Sequence, residues 1–322
     1  MLIDTFGRRF YYLRLSVTDI CNFRCTYCLP DGYKGRPEDT FLSPAELEAA
    51  ARGFIQMGTQ KIRLTGGEPG LRKDLPEILE RLSRIESLQT LAVTTNGYKL
   101  PQKIHQWVKS GLTQLNVSID SLDAEKFHDI TGHNRLEEVL EGVRIAQQLG
   151  IKTKVNAVLM NGVNDDLKSV LKWLKQTPVT MRFIEVMETV DQQVFFRQHH
   201  ISGESVKAQL LESGWQPVLR DITAGPAQEF WHPEYQGRIG LIMPYSKDFC
   251  DSCNRLRISS LGKLHLCLFA EQGIDVRPYL QPGVPVEALM DAVRTHLKDK
   301  AATHFLHEHN AGAMTNLSQI GG

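Results

Sequence analysis

Over its first two-thirds the chain alternates short β-branched and apolar runs with longer stretches of helical period. The runs at 11–18, 61–66, 90–95, 114–120, 152–160 and 179–187 have the length and residue types of strands. Between them apolar residues recur at helical spacing over 43–57, 75–85, 102–110, 136–149 and 165–175, the mark of helices with one buried face. The first of these opens on Ser43-Pro44, a favoured helix start. Such alternation predicts a parallel sheet with right-handed crossovers. Six units without an evident seventh or eighth predict an α/β fold built on an incomplete (β/α)6 TIM-type barrel, with a doubly wound open sheet as the alternative. Past about residue 220 the pattern changes: 228–231, 238–243, 255–259 and 263–269 are strand-like with no helix between them, and 286–309 is helical in period. The expected division is 1–220 for the partial barrel and 221–322 for a C-terminal region.

Composition narrows the class. The 322 residues are 42% hydrophobic and 23% charged, ordinary for a globular protein. Lys plus Arg and Asp plus Glu both total 37, so net charge is zero, which argues against nucleic acid or an anionic membrane as partner. The first ten residues carry no apolar signal core, and no run of 18 apolar residues occurs, so a cytoplasmic protein is expected. All six cysteines fall in two tight groups, Cys21/Cys25/Cys28 and Cys250/Cys253/Cys267. An even number invites disulfides, but clustering in a chain of this size without a secretory signal favours metal ligands.

The first trio follows directly on the first predicted strand, at the mouth where barrel enzymes place their chemistry. Thiolates are the usual protein ligands of iron–sulfur clusters, and three cysteines on four irons leave one iron open to chelate a small molecule. Structural zinc would want four ligands, and no fourth Cys or His lies close. The C-x3-C-x2-C spacing, with Tyr27 just before the last cysteine, resembles the signature of the radical S-adenosylmethionine (SAM) superfamily. That resemblance implies a 4Fe-4S cluster on Cys21, Cys25 and Cys28, SAM on the open iron, and its reductive cleavage to a 5'-deoxyadenosyl radical. It extends to Thr65-Gly66-Gly67-Glu68-Pro69, similar to the family's glycine-rich turn that meets the SAM amino group, where a missing Cβ lets backbone approach a ligand. A plain strand-ending turn would use the same glycines. Thr94, Asn96-Gly97, Ser118, Asp120 and Met187 end later strands and converge on one face if the barrel holds.

Cys250, Cys253 and Cys267 give C-x2-C-x13-C. Zinc remains open here, with His265 as fourth ligand, since His265 and Cys267 share a face by period two; a second 4Fe-4S cluster is the alternative. Arg255 and Arg257 project the same way along a strand, and guanidinium forks match phosphate oxygens. A solvated pair on an edge strand fits the fragment equally well.

Taken together these motifs resemble the GTP 3',8-cyclase family of molybdenum cofactor biosynthesis through nearly the whole chain. The match includes Arg14, Lys61-Ile62-Arg63-Leu64-Thr65-Gly66-Gly67-Glu68-Pro69, Thr94-Thr95-Asn96-Gly97, Asn116-Val117-Ser118-Ile119-Asp120, Lys154-Val155-Asn156, Arg182 to Met187, the second trio with its arginines, and the Gly321-Gly322 tail. Gly70 departs from it, since Thr is more usual there. The resemblance implies two 4Fe-4S clusters, the second on Cys250, Cys253 and Cys267 with the guanine base on its open iron. It places Tyr27, Gly66, Gly67, Glu68, Ser118 and Met187 against SAM. It places Arg14, Lys61, Arg63, Thr94, Lys154, Arg182, Arg255, Leu256 and Arg257 against GTP, with Arg14, Arg255, Arg257, Gly321 and Gly322 in catalytic roles and the tail threading into the cavity. The implied reaction removes the ribose 3' hydrogen and joins C3' to guanine C8, giving (8S)-3',8-cyclo-7,8-dihydroguanosine 5'-triphosphate. Cyclic pyranopterin monophosphate synthase would take this product; the electron donor is unspecified and a homodimer is expected. A peptide-modifying radical SAM maturase and a non-catalytic metal scaffold are the competing readings.

Overall fold

The six strand-helix units form as their periodicity predicts. The computed structural model describes residues 1–35, 40–269, 273–312 and 320. In chain order it contains β1 (Tyr12–Thr18), α1 (Pro44–Gln56), β2 (Lys61–Gly66), α2 (Leu75–Ser83), β3 (Thr90–Thr95), α3 (Leu100–Lys109), β4 (Gln114–Ser118), α4 (Ala124–Thr131), α5 (Leu136–Gln148), β5 (Lys152–Leu159), α6 (Lys168–Leu174) and β6 (Thr180–Glu185). After these come α7 (Gln193–His199), α8 (Gly203–Glu212), β7 (Gln216–Pro217), β8 (Gln228–Trp231), β9 (Arg238–Ile242), β10 (Arg255–Ile258), β11 (Lys263–His265), β12 (Ile274–Asp275) and α9 (Val286–Leu297). The α1 start is a reciprocal cap: the Ser43 side chain accepts from Glu46 N, and the Glu46 carboxylate accepts from Ser43 N, with Pro44 in the first turn.

Strands β1 to β6 lie side by side in sequence order, all parallel. A doubly wound sheet reverses its strand order at a switch point; no reversal occurs among these six, so the barrel-type winding stands. The parallel row is extended by two later strands: β10 pairs parallel with β1 and β9 parallel with β6. Antiparallel β11 and β12 flank β10, and β8 and β7 flank β9. The ladder therefore runs unbroken across position 220.

Two sequence expectations differ from the structure. The run at 263–269 leaves the sheet after His265, and the turn that follows carries Cys267, Leu268 and Phe269 to the lining of an interior cavity. The helical stretch 286–309 ends at Leu297, and no α-helix could run on to 309, since Phe305 and His309 take left-handed φ values of 58° and 54°.

Strand alternation sorts the side chains into two layers. Leu13, Leu15, Ile62, Leu64, Val93, Leu115, Val155, Phe183, Leu256 and Ile258 point to the helix side and are fully buried in one core cluster. The other face carries Tyr12 and Arg14, Lys61 and Arg63, Asn116 and Ser118, Lys154 and Asn156, Arg182, and Arg255 and Arg257. A barrel interior is ordinarily filled by branched aliphatic side chains. Here it is polar and cationic, so it is built to receive something other than its own side chains.

Candidate active site

The loop after β1 is fixed before any cofactor enters. Arg24 N donates to Thr131 O and Thr26 N to Ile130 O, tying the loop to the end of α4. Phe23 stacks on His133 with ring centroids 4.5 Å apart, and His133 Nε2 meets Asn22 O at 2.8 Å. Cys21, Cys25 and Cys28 line one cavity together with Tyr27, Gly66, Gly67, Thr94, Ser118, Asp120, Asn156 and Met187. Burial pushes the Cys21 thiol up to about 11, with the Glu68 charge adding to it. Burial, followed by Asp120 and the two neighbouring thiols, drives Cys25 well above the ordinary thiol value. Three clustered thiols become thiolates when a metal supplies the positive charge, and a 4Fe-4S cluster fits that donor set.

The acids around this cavity serve its walls. Tyr27 OH donates to Asp120 Oδ2 at 2.9 Å, and Asp120 Oδ1 accepts from Val158 N at 2.8 Å. Burial outweighs those bonds and raises Asp120 to about 6. Glu68 is fully buried and does not line the cavity; its oxygens accept from Gly70 N and Thr95 Oγ1 at 2.7 Å and from Asn96 N at 2.6 Å. It therefore fixes the β2 and β3 ends relative to one another. Gly66, at φ +145°, and Gly67 pack on the β1 end: a Cβ there would stand 2.1 Å from Thr18 O and 2.3 Å from Ile20 O, respectively. The glycines are demanded by backbone close approach within the protein.

A second cavity holds the other trio. Cys250, Cys253 and Cys267 line it with Tyr12, Arg14, Arg63, Arg182, Arg255, Arg257, Phe249 and His304. Burial raises Cys250. For Cys253 burial acts the same way but is overcome by Arg255, Lys300 and Arg257, which bring the thiol down to about 6. His265 is absent from this lining, and burial followed by the Arg257 and Lys263 charges lowers it to about 4. His304 has both ring nitrogens engaged, Nε2 with Pro244 O and Nδ1 with Leu306 N. Besides the three cysteines, His304 is the one His or Cys among the described residues lining this cavity, and its ring nitrogens are engaged, so the zinc reading lacks a fourth ligand, whereas three thiolates with an open iron fit a cluster.

Register arranges the cations in two rows. Arg257, Arg14 and Arg63 are direct neighbours across β10, β1 and β2, and Arg255, Tyr12 and Lys61 form the next row. Lys61 Nζ and the Arg63 guanidinium each lie 5.3 Å from the Tyr12 ring centroid. Arg182 Nη2 donates to Asn116 Oδ1 at 2.7 Å, and Lys154 Nζ is 2.5 Å from Glu229 Oε1. Burial, with neighbouring charges, pulls Arg63 and Arg257 down to about 9, Arg182 to about 10, and Lys61 and Lys154 to about 8. Nε of Arg63, Arg182, Arg255 and Arg257 and the buried Asn156 Oδ1 and Thr94 Oγ1 have no hydrogen-bond partner among the described residues. Buried like charges with open donors are costly unless an anion completes them.

The expected residues thus divide by place. The first trio, Tyr27, Gly66, Gly67, Thr94, Ser118 and Met187 share one cavity, and the second trio with Arg14, Arg63, Arg182, Arg255 and Arg257 shares the other. Asn156, Ile184 and Met187 line both, so the two are adjoining ends of one space. Lys61 and Lys154 face a third cavity beside them. Leu256 points into the hydrophobic core, and Gly321 and Gly322 lie outside the described residues. Tyr12 and Glu229 were absent from the sequence expectations, and Asn156 stood there only as part of the Lys154-Val155-Asn156 match, with no role assigned. Tyr12 and Asn156 stand two positions from Arg14 and Lys154 on the same strand faces, a spacing that could have revealed them.

Comparison with known proteins fits this geometry. The Radical SAM superfamily model matches residues 15–174, the stretch that holds the first cysteine loop and the parallel row from β1 through β5, which defines the class of protein. The Molybdenum Cofactor Synthesis C model matches residues 179–306. GTP 3',8-cyclase from Aeromonas hydrophila is 52% identical, covering 100% of this chain and 96% of the relative. The proteins of that name from Pectobacterium atrosepticum and Yersinia pestis are each 53% identical, covering 100% of this chain and 99% of the relative. The chain belongs to the GTP 3',8-cyclase family of radical SAM enzymes. Streptococcus suis SuiB bound to S-adenosylmethionine shares the fold, with a TM-score of 0.61 over 89% of this chain and 68% of that one at 14% identity.

Proposed function

We propose that this chain is the radical SAM cyclase that converts GTP to (8S)-3',8-cyclo-7,8-dihydroguanosine 5'-triphosphate, the first step of molybdenum cofactor biosynthesis. The observation that carries this reading is one interior space with a cysteine trio at each end and buried arginines gathered around the second trio. Cys21, Cys25 and Cys28 would hold the cluster that binds SAM, and Cys250, Cys253 and Cys267 the one beside the substrate. When bound, these groups supply the one-electron cleavage of SAM and the 5'-deoxyadenosyl radical that takes the ribose 3' hydrogen.

The chain's own task is placement and exclusion of water. Tyr27, Gly66, Gly67, Ser118 and Met187 would line the SAM end, with Glu68 holding the turn behind them. Arg14, Arg63, Arg182, Arg255 and Arg257, with Lys61 and Lys154 at the rim, would neutralise the triphosphate, and Thr94 Oγ1 is an unpaired donor near the junction. Leu256 would act by fixing the strand that presents Arg255 and Arg257. Ile320 packs with Leu268 and Phe269 next to Cys267, which supports a role for Gly321 and Gly322 beside the substrate. The division near residue 220 would separate the part that carries the first cysteine trio from the part that carries the second, with substrate contacts drawn from both sides of it.

No helix among the described residues is long and apolar enough to cross a membrane. A cytoplasmic setting, a downstream cyclic pyranopterin monophosphate synthase and a homodimer complete the reading; reduced cysteines in two cluster sites support the first. The test is anaerobic incubation of the reconstituted protein with GTP, SAM and reductant. Expected are 5'-deoxyadenosine, the cyclised triphosphate and about eight irons per chain. SAM cleavage without any GTP-derived product would discard the cyclase reading.

A further inference from the structure

Beside the arginine rows lies a polar cavity of about 450 Å³, reached past Arg182 and Gly225, which line both spaces. Its wall is cationic, with Lys61, Lys152, Lys154, Arg220 and Arg238. Set among them is Glu229 of β8, whose Oε1 is 2.5 Å from Lys154 Nζ and whose Oε2 is 4.0 Å from Arg238 Nη1. The Lys154 and Glu229 side chains are 12% and 21% exposed, so the pair is poorly screened. Asp221, the other carboxylate of this wall, is turned aside to Thr223, where it accepts from N and Oγ1. Glu229 thus places an oxyanion on a cation that the proposed function assigns to the triphosphate. Two oxyanions on one ammonium repel each other, and the loser must find water or another cation.

We infer that Glu229 is a resident counter-ion that competes with the nucleotide's triphosphate for Lys154, limiting affinity for the substrate and returning to Lys154 to favour release of the product, which keeps the same triphosphate. This rests on the assignment of a nucleoside triphosphate to the cavity. Glu229→Gln retains size and removes the competing charge; Glu229→Ala is a second variant. With cluster-loaded protein under anaerobic conditions, titration calorimetry reads binding of GTP, GMP and inorganic tripolyphosphate. Both variants are expected to bind GTP and tripolyphosphate about tenfold more tightly, about 1.4 kcal/mol, while GMP, too short to reach Lys154, stays within about twofold. In turnover KM for GTP falls, and kcat falls with it where release limits the rate. In a Lys154→Ala background the Glu229→Gln gain disappears. A purely structural role predicts weaker binding. Unchanged or weaker tripolyphosphate and GTP binding in both variants, at wild-type iron content and melting temperature, overturns the inference. If tripolyphosphate shows the gain but GTP binds nowhere, the counter-ion role stands and the cyclase reading fails.

Discussion

At the residue scale, the informative side chains are polar groups on the inward positions of strands. Tyr12 is the clearest. Burial pushes its phenol up, but Arg63, Arg14 and Lys61 outweigh it and bring the value to about 7. An acid whose folded value lies below its unfolded value near 10 stabilises the fold above that unfolded value, and the contribution is lost as pH falls through 7. Wild-type protein is therefore expected to gain stability over Tyr12→Phe as pH rises from 7 to 10, measured by denaturant midpoints without nucleotide; parallel profiles would contradict it. No chemical motif marks Tyr12 in the sequence, only its spacing from Arg14. Glu229 had no such signal, because it enters from antiparallel β8 and its meeting with Lys154 depends on pairing remote in sequence. Glu68 was legible as part of a glycine-rich turn, but its engagement by Gly70, Thr95 and Asn96 was not.

At the scale of elements, periodicity recovered the six barrel strands and most of their helices because each buries one continuous apolar face. It missed α4, which buries Phe127, Ile130 and Thr131, α7, which buries nothing, and α8, which buries Gly203, Val206 and Leu210. α7 has no buried position to set a period. Yet α4 anchors the first cysteine loop, so a quiet element carries a sensitive one. The loop's other support is the β2 turn. Gly67→Ala drives a Cβ onto Ile20 O, which is backbone and cannot swing aside. The loop must shift, and the expected result is loss of about four of eight irons per chain, with the second cluster's spectrum retained. Full iron content after reconstitution would show that the turn tolerates the side chain.

For the whole molecule, zero net charge conceals a strongly positive interior, and only the sheet's pairing explains how the two coexist. The strands after 220 were legible one by one, but not their docking at the two ends of the row, since sequence pattern carries no information on which distant strand pairs with which. That docking has a mechanical consequence. Cys21 follows β1 and Cys253 precedes β10, and these strands are hydrogen-bonded neighbours from Tyr12↔Arg255 to Leu15↔Ile258. The residues proposed to hold the two metal centres therefore sit beside neighbouring strands of a single ladder, which would make the separation of the centres a property of the backbone. Pulsed dipolar spectroscopy on the reduced protein is expected to give one narrow distance distribution, unmoved by GTP or SAM. Whatever closes over the substrate then moves around a fixed spin pair, and the gap the radical must cross is set during folding.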